Sequence, residues 1–195
     1  MRKLFNGKIP VVISFFVYTG IALITVLSAW IINLHRFDLS LTISRYVALR
    51  PWTAITYGIC ITFLVALIIL HVKKLKILLL RKIIYILTFL GVLGCAVFPF
   101  NREWSIVSAT IHNYCAYSLM FFMLVSFIVL VFSRRKAQKV FGFLGILYAV
   151  FFIITFFVFA WQWFFSTIFI WENLFIYLLL GELWLERNEN SGKLR

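Results

Sequence analysis

Charged residues are scarce in this sequence. They make up 13% of the 195 residues, and only 6 of them are Asp or Glu, against 19 Lys and Arg. Soluble domains are about 45–50% apolar and about 25% charged, whereas this chain is 64% hydrophobic. The composition therefore excludes a soluble domain and predicts an integral membrane protein. A net charge of +13 would indicate a nucleic-acid partner only if the cations formed a patch on a folded surface. They are instead spread between long apolar runs, so we expect no nucleic-acid partner.

The sequence also lacks the short motifs of common enzyme and cofactor sites. It has no H-E-x-x-H, no G-x-S-x-G, no Walker A sequence and no G-x-G-x-x-G. Its 3 His and 3 Cys are scattered, without the spacing of a zinc or haem site. Cys60, Cys95 and Cys115 each lie in a long apolar run, where a thiol behaves as a small hydrophobe. We therefore expect no metal, no cofactor and no disulfide framework.

Long apolar runs fill the rest of the chain. A helix that crosses about 30 Å of hydrocarbon needs about 20 apolar residues. That length predicts an all-α integral membrane fold, a bundle of six transmembrane helices in a single domain over residues 1–195. The predicted helices are residues 10–33, 52–71, 83–100, 105–132, 140–161 and 167–185. The last two are separated by a predicted hairpin at 162–166, because one helix over both would be about 70 Å long.

The basic residues predict the orientation of the bundle. Short cytoplasmic loops of membrane proteins are rich in Lys and Arg. In a six-helix arrangement every Lys and Arg falls on one side except Arg36, Arg45, Arg50 and Arg102. We therefore expect both termini to be cytoplasmic. The first apolar run ends without a small-residue cleavage site, so we interpret it as a permanent span of a multi-pass protein of the cell membrane.

Ionisable side chains inside the predicted spans are the best candidates for a site, because they are costly in hydrocarbon. His112 and Glu172 are predicted at the same depth, about 8–11 Å below the outer boundary. Asn173 follows Glu172, while Thr53 and Thr56 reach a similar level. The face that carries His112 is polar along its length, with Ser105, Ser108 and Cys115 at helical spacing. These residues predict a polar chamber open to the outer leaflet. The open alternative is a structural pair, in which the helix dipole stabilises Glu172 and His112 is its hydrogen-bond partner.

Two further groups of charged residues lie near the predicted membrane surfaces. Arg residues on the outer side are exceptions to the orientation rule, so they need another explanation. A planar guanidinium group can pair with two phosphate oxygens. Arg45, Arg50 and Arg102 therefore predict a site for an anionic headgroup. Salt bridges to Asp38 and Glu103 are the alternative. At the cytoplasmic end, His71 and Glu182 are expected to pair with each other or reach water. Glu186 and Arg187 then belong to a helix that runs out into solvent.

Two short motifs resemble a known family. The first motif is Phe98-Pro99, followed after a short loop by Ile111-His112-Asn113, and the second is the segment Ile43 to Val47. With these motifs the chain resembles the six-helix FRAG/DRAM superfamily, in particular its uncharacterised bacterial branch. The resemblance implies lipid handling, lipid-anchor remodelling or regulatory scaffolding without a defined reaction. The chain is more distantly similar to the androgen-induced lipid hydrolases. That similarity implies Thr53 or Thr56 as a nucleophile with His112 as its base.

Three functions follow as hypotheses. The first is binding of a membrane lipid or anionic amphiphile in an outward-facing polar pocket, for transport, sensing or envelope protection. Its expected ligand-binding residues are His112, Glu172, Asn173, Ser108, Arg45, Arg50 and Arg102. The second is an intramembrane lipid hydrolase with the Thr/His pair. The third is a structural subunit that contacts a membrane-protein partner through exposed small-residue faces. The small residues Gly91 with Cys95 and Gly145 with Ala149 are expected to let helices pack closely, and no function is assigned to them.

Overall fold

The fold is helical throughout the part of the chain that can be described. The computed structural model describes residues 16–20, 45, 47–48, 51–101, 103–155 and 168–190, the last range with side chains at 170–186. All regular secondary structure in these ranges is helical. The five long helices are α1 (Pro51–Lys74), α2 (Leu79–Val97), α3 (Ile106–Val131), α4 (Lys136–Ile153) and α5 (Ile168–Asn190). Among the described residues, α1 to α4 are long enough and apolar enough to cross a membrane.

The ends of the helices differ from the predicted ones. α2 begins at Leu79 instead of residue 83, and α4 begins at Lys136 instead of residue 140. Likewise α1 ends at Lys74 instead of residue 71, and α5 ends at Asn190 instead of residue 185. The predicted limits were set at charged residues, which mark the edge of the hydrocarbon. Lys and Arg are good helix formers, so the helical backbone continues past that edge.

Pro99 explains why α2 ends before its predicted C-terminus. The prediction extended this helix to residue 100, but α2 ends at Val97. The helical region is disfavoured for a residue before proline, because the proline ring contacts that residue's N–H and Cβ. Phe98 accordingly has an extended conformation, with φ −105° and ψ 90°. The predicted hairpin at 162–166 and most of the span at 10–33 lie outside the described residues, and residues 16–20 of that span are helical.

The helices pack in chain order around one apolar core. α2 packs against α1 on one side and α3 on the other, α3 packs against α4, and α4 contacts α5. Completely buried side chains come from α1, α2, α3 and α5, among them Ile61, Tyr85, Met123, Phe127 and Leu179. α5 therefore contributes to the same core as α2 and α3.

Small residues allow the closest helix contacts. A Cβ at Gly142 of α4 would lie 2.7 Å from both Leu130 Cβ and the Phe127 carbonyl oxygen of α3. A Cβ at Gly145 would meet the Phe127 ring, and one at Gly91 would lie 3.0 Å from Leu119 Cβ. The small-residue faces are therefore used inside this chain. This confirms the expected packing role of Gly91 and Gly145, while contact of exposed small-residue faces with a partner protein stays a prediction.

Candidate functional site

The junction between α2 and α3 determines how His112 is held. In a continuing helix, the Cys95 carbonyl would accept a hydrogen bond from the N–H of residue 99, but Pro99 has none. His112 Nδ1 lies 3.0 Å from the Cys95 carbonyl oxygen and 2.8 Å from the Phe98 carbonyl oxygen. Carbonyl oxygens only accept, so Nδ1 carries the hydrogen and donates. His112 thus supplies the donor that Pro99 lacks. In the neutral ring this leaves Nε2 as an acceptor.

The serines of the predicted polar face serve the same junction. Ser105 is the N-cap of α3, and its side chain accepts a hydrogen bond from the Ser108 N–H at 3.1 Å. The Ser108 hydroxyl donates to the Pro99 carbonyl oxygen, also at 3.1 Å. The face is turned toward α2. Ser108, however, forms its hydrogen bonds within the α2–α3 turn and does not line the cavity that contains His112.

His112 and Glu172 line one cavity. The cavity has a volume of about 140 Å³ and lies among the stretch 16–20 and helices α1 to α5. An apolar cavity of similar volume, about 150 Å³, can hold a benzene molecule. The other polar groups of its wall are Tyr18, Tyr57 and Cys95. The rest of the wall is apolar and includes the rings of Phe152 and Phe175.

Residues 16–20 close one side of this cavity. The Tyr18 hydroxyl donates to Asn173 Oδ1 at 3.0 Å, and the Thr19 and Tyr177 hydroxyls are 2.8 Å apart. The Tyr18 and Tyr177 rings meet edge to face, with centroids 5.4 Å apart. Asn173 is therefore a positioning residue for Tyr18 and is not part of the cavity wall.

The polar groups of the wall include two strong hydrogen-bond acceptors, and the Tyr57 hydroxyl can both donate and accept. Glu172 contributes a partly buried carboxyl group, and His112 Nε2 makes no hydrogen bond within the described residues. The Tyr18 oxygen has already given its hydrogen to Asn173. The described residues of the wall include no Lys or Arg. This chemistry suits a ligand that donates hydrogen bonds or carries a positive charge near aromatic rings.

Arg45, one of the three predicted headgroup arginines, does not line the cavity. The Arg45 guanidinium lies over the Phe100 ring, 5.7 Å from its centroid, and that ring is 5.6 Å from the His112 ring. Arg45 is thus behind His112, separated from it by Phe100. Arg50 and Arg102 lie outside the described residues.

The structure does not bring the Thr/His pair together. The buried Thr53 hydroxyl donates to the Val47 carbonyl oxygen at 2.7 Å. The Thr56 hydroxyl is on the exposed side of α1 and donates to the Trp52 carbonyl oxygen at 2.9 Å. Neither residue lines the cavity with His112. Both hydroxyls serve the local backbone.

A second polar cluster occurs where the sequence predicted a helix running into solvent, and that prediction is wrong. Glu182 is completely buried and Glu186 is 2% exposed. Glu182 Oε1 accepts hydrogen bonds from the Ser126 hydroxyl at 2.5 Å and the Tyr85 hydroxyl at 2.7 Å. Glu186 forms an ion pair with Arg81. Two signals in the sequence could have indicated the cluster. Glu182 and Glu186 share a face at a spacing of four, and so do Arg81 and Tyr85.

The described residues show no metal site and no cofactor motif. They contain no group of three or more His, Cys, Asp or Glu that could hold a metal ion. Cys60, Cys95 and Cys115 are free thiols. No family model, curated protein or solved structure matches this chain. The resemblance to the FRAG/DRAM superfamily therefore stays a prediction.

Proposed function

We propose that this chain is a multi-pass protein of the cell membrane, with six spans and cytoplasmic termini, that binds an amphiphile in the cavity lined by His112 and Glu172. The observation that carries the proposal is that both side chains line one largely apolar cavity. Four helices suited to a membrane and the one-sided Lys and Arg support the topology. Transport, sensing and envelope protection are the roles such binding would serve.

The chemistry of the wall favours one class of ligand. A carboxyl group, an imidazole acceptor and aromatic rings suit an amine or hydroxyl head better than an anionic one. The volume of about 140 Å³ admits the head and the first carbons of a chain. The remaining tail would lie in the membrane. An anionic amphiphile, the class predicted from the outer arginines, would depend instead on Arg45, Arg50 and Arg102.

Binding of three probes that differ only in the head tests this proposal. The full chain in phosphatidylcholine nanodiscs is titrated with radiolabelled decylamine, decanol and decanoate. We expect decylamine to bind most tightly and decanoate most weakly. Glu172→Gln should weaken decylamine binding about tenfold, which corresponds to about 1.4 kcal/mol. His112→Asn should weaken decanol binding, because it removes the Nε2 acceptor and keeps a donor near the Nδ1 position.

Glu103→Gln is the matched control, since Glu103 is an exposed carboxylate outside the cavity. It should leave the affinity for all three probes unchanged. If decanoate binds most tightly of the three probes, the proposal that the ligand has an amine or hydroxyl head is wrong. Equal effects of Glu172→Gln and Glu103→Gln would overturn the site itself.

A further inference from the structure

A separate cavity lies at the end of the bundle that is predicted to be cytoplasmic. Its volume is about 400 Å³, and it is bounded by the α1–α2 turn, the start of α2, the α3–α4 turn and Glu186 of α5. Four cationic side chains line it, those of Lys76, Arg81, Arg134 and Arg135. Glu186 is the one carboxylate among its described lining residues. The cavity is therefore strongly positive.

Orientation alone does not explain this arrangement. A bias of Lys and Arg toward the cytoplasm accounts for cations at this end of the bundle. It does not require cations from two separate turns and a helix to converge on one concave site. Lys74 and Lys139 are exposed at the same end and do not line the cavity. They provide an internal comparison for the cations that do.

The carboxylate of Glu186 in this cavity is already paired with a cation. Glu186 is buried and forms an ion pair with Arg81, and the Tyr85 hydroxyl lies 3.4 Å from Glu186 Oε1. Lys76, Arg134 and Arg135 therefore dominate the charge that the cavity presents to a ligand. Ser133 and the buried Gln138 are hydrogen-bonded to each other in the same wall.

Two helix N-termini reinforce the positive potential. The N-cap residues of α2 and α4 are Leu78 and Arg135, and both line the cavity. Neither side chain caps its helix, and neither helix has an acidic residue in its first turn. The first N–H groups of a helix have no partner within the helix, and this end of the dipole attracts anions.

We propose that this cavity binds a phosphate group, carried either by an anionic phospholipid of the cytoplasmic leaflet or by a free phosphate compound. Guanidinium forks pair well with phosphate oxygens, and basic pockets at the cytoplasmic ends of membrane helices bind anionic headgroups. The inference is independent of the cavity at His112 and Glu172, because the two cavities share no lining residue.

The test uses the full chain in a neutral detergent and measures lipid binding by native mass spectrometry. The probes are short-chain phosphatidylglycerol, phosphatidylcholine with the same chains, and inorganic phosphate as a competitor. Lys76→Gln with Arg134→Gln removes two charges from the cavity wall. Lys74→Gln with Lys139→Gln removes two charges from the neighbouring surface. We expect phosphatidylglycerol to bind at least tenfold more tightly than phosphatidylcholine, and only the wall variant to lose that preference.

Each outcome decides the proposal. Phosphatidylglycerol binding that resists millimolar phosphate supports a lipid headgroup as the source, whereas competition by phosphate with the same dependence on the wall residues supports a free phosphate compound. Equal losses in the two double variants would show a general surface charge and would overturn the site. Equal binding of the two lipids, without binding of phosphate, would overturn it as well. Thermal unfolding of both variants checks that the wall substitutions leave the protein folded.

Discussion

The hydrogen bonds of His112 allow its structural role to be separated from its role in the cavity. Its Nδ1 donates to the carbonyl oxygens of Cys95 and Phe98, and the residue is 6% exposed. An Asn side chain places its amide nitrogen near the position of Nδ1, whereas a Gln side chain reaches the position of Nε2. His112→Asn should therefore keep the donor to the end of α2. His112→Gln and His112→Ala should lose it.

The expected cost follows from the groups left buried. Without a donor at this place, the Cys95 carbonyl has no hydrogen bond, because Pro99 cannot supply one. Leaving a buried polar group unsatisfied costs about 1–3 kcal/mol. We expect His112→Ala and His112→Gln to lower the free energy of unfolding by about that amount. His112→Asn should recover at least half of the loss.

The native thiols supply the assay. Cys60, Cys95 and Cys115 are free and partly buried, so a thiol-reactive fluorophore labels them faster as the protein unfolds on heating. The transition temperature of the four proteins is compared in one detergent. The capping argument is refuted if His112→Asn is as unstable as His112→Gln. A His112→Ala variant as stable as the parent would refute it too.

Other predictions use the same thermal assay or a simple variation of it. Glu182→Gln should keep stability close to that of the parent, because its amide oxygen still accepts from Tyr85 and Ser126, whereas Glu182→Leu should cost about 1–3 kcal/mol for hydroxyls left without an acceptor. Equal stability of the two variants would contradict the assigned hydrogen bonds. Gly142→Ala should cost about 1–3 kcal/mol, because its Cβ would lie 2.7 Å from backbone and side-chain atoms of α3. Gly58→Ala is the control, with a Cβ at an ordinary 3.4 Å from the Ala96 carbonyl oxygen, and it should be neutral or slightly stabilising. A Gly142→Ala variant that matches it would show that α3 and α4 pack less closely than described.

Much of the helical fold follows from apolar length alone. Runs of about 20 apolar residues predicted α1 to α5 in the right places, because hydrocarbon requires every backbone group to be bonded within a helix. The ends of the helices were less predictable. Charged residues mark where the hydrocarbon stops, and only local effects such as Pro99 mark where a helix stops.

The part of the candidate site that depends only on depth along a helix could be predicted from the sequence. His112 and Glu172 were matched by depth, and they line one cavity. The hydrogen bonds from His112 Nδ1 to the carbonyl oxygens at the end of α2 could not be predicted, because they depend on the distance between α2 and α3. Glu182 was misread for a related reason. Spacing indicates that Glu182 and Glu186 share one helix face and that Arg81 and Tyr85 share another, but only the structure shows that these two faces meet.

Occupation of the cavity at His112 and Glu172 is the central claim, and decylamine binding to Ala116→Phe tests it most directly. Ala116 lines the cavity, so its replacement puts an aromatic ring into a space of about 140 Å³ without changing any polar group. Ser118→Phe adds the same ring to an exposed position of the same helix. The account predicts that Ala116→Phe abolishes saturable binding while Ser118→Phe retains the affinity of the parent protein. Undiminished binding by a folded Ala116→Phe variant would contradict it.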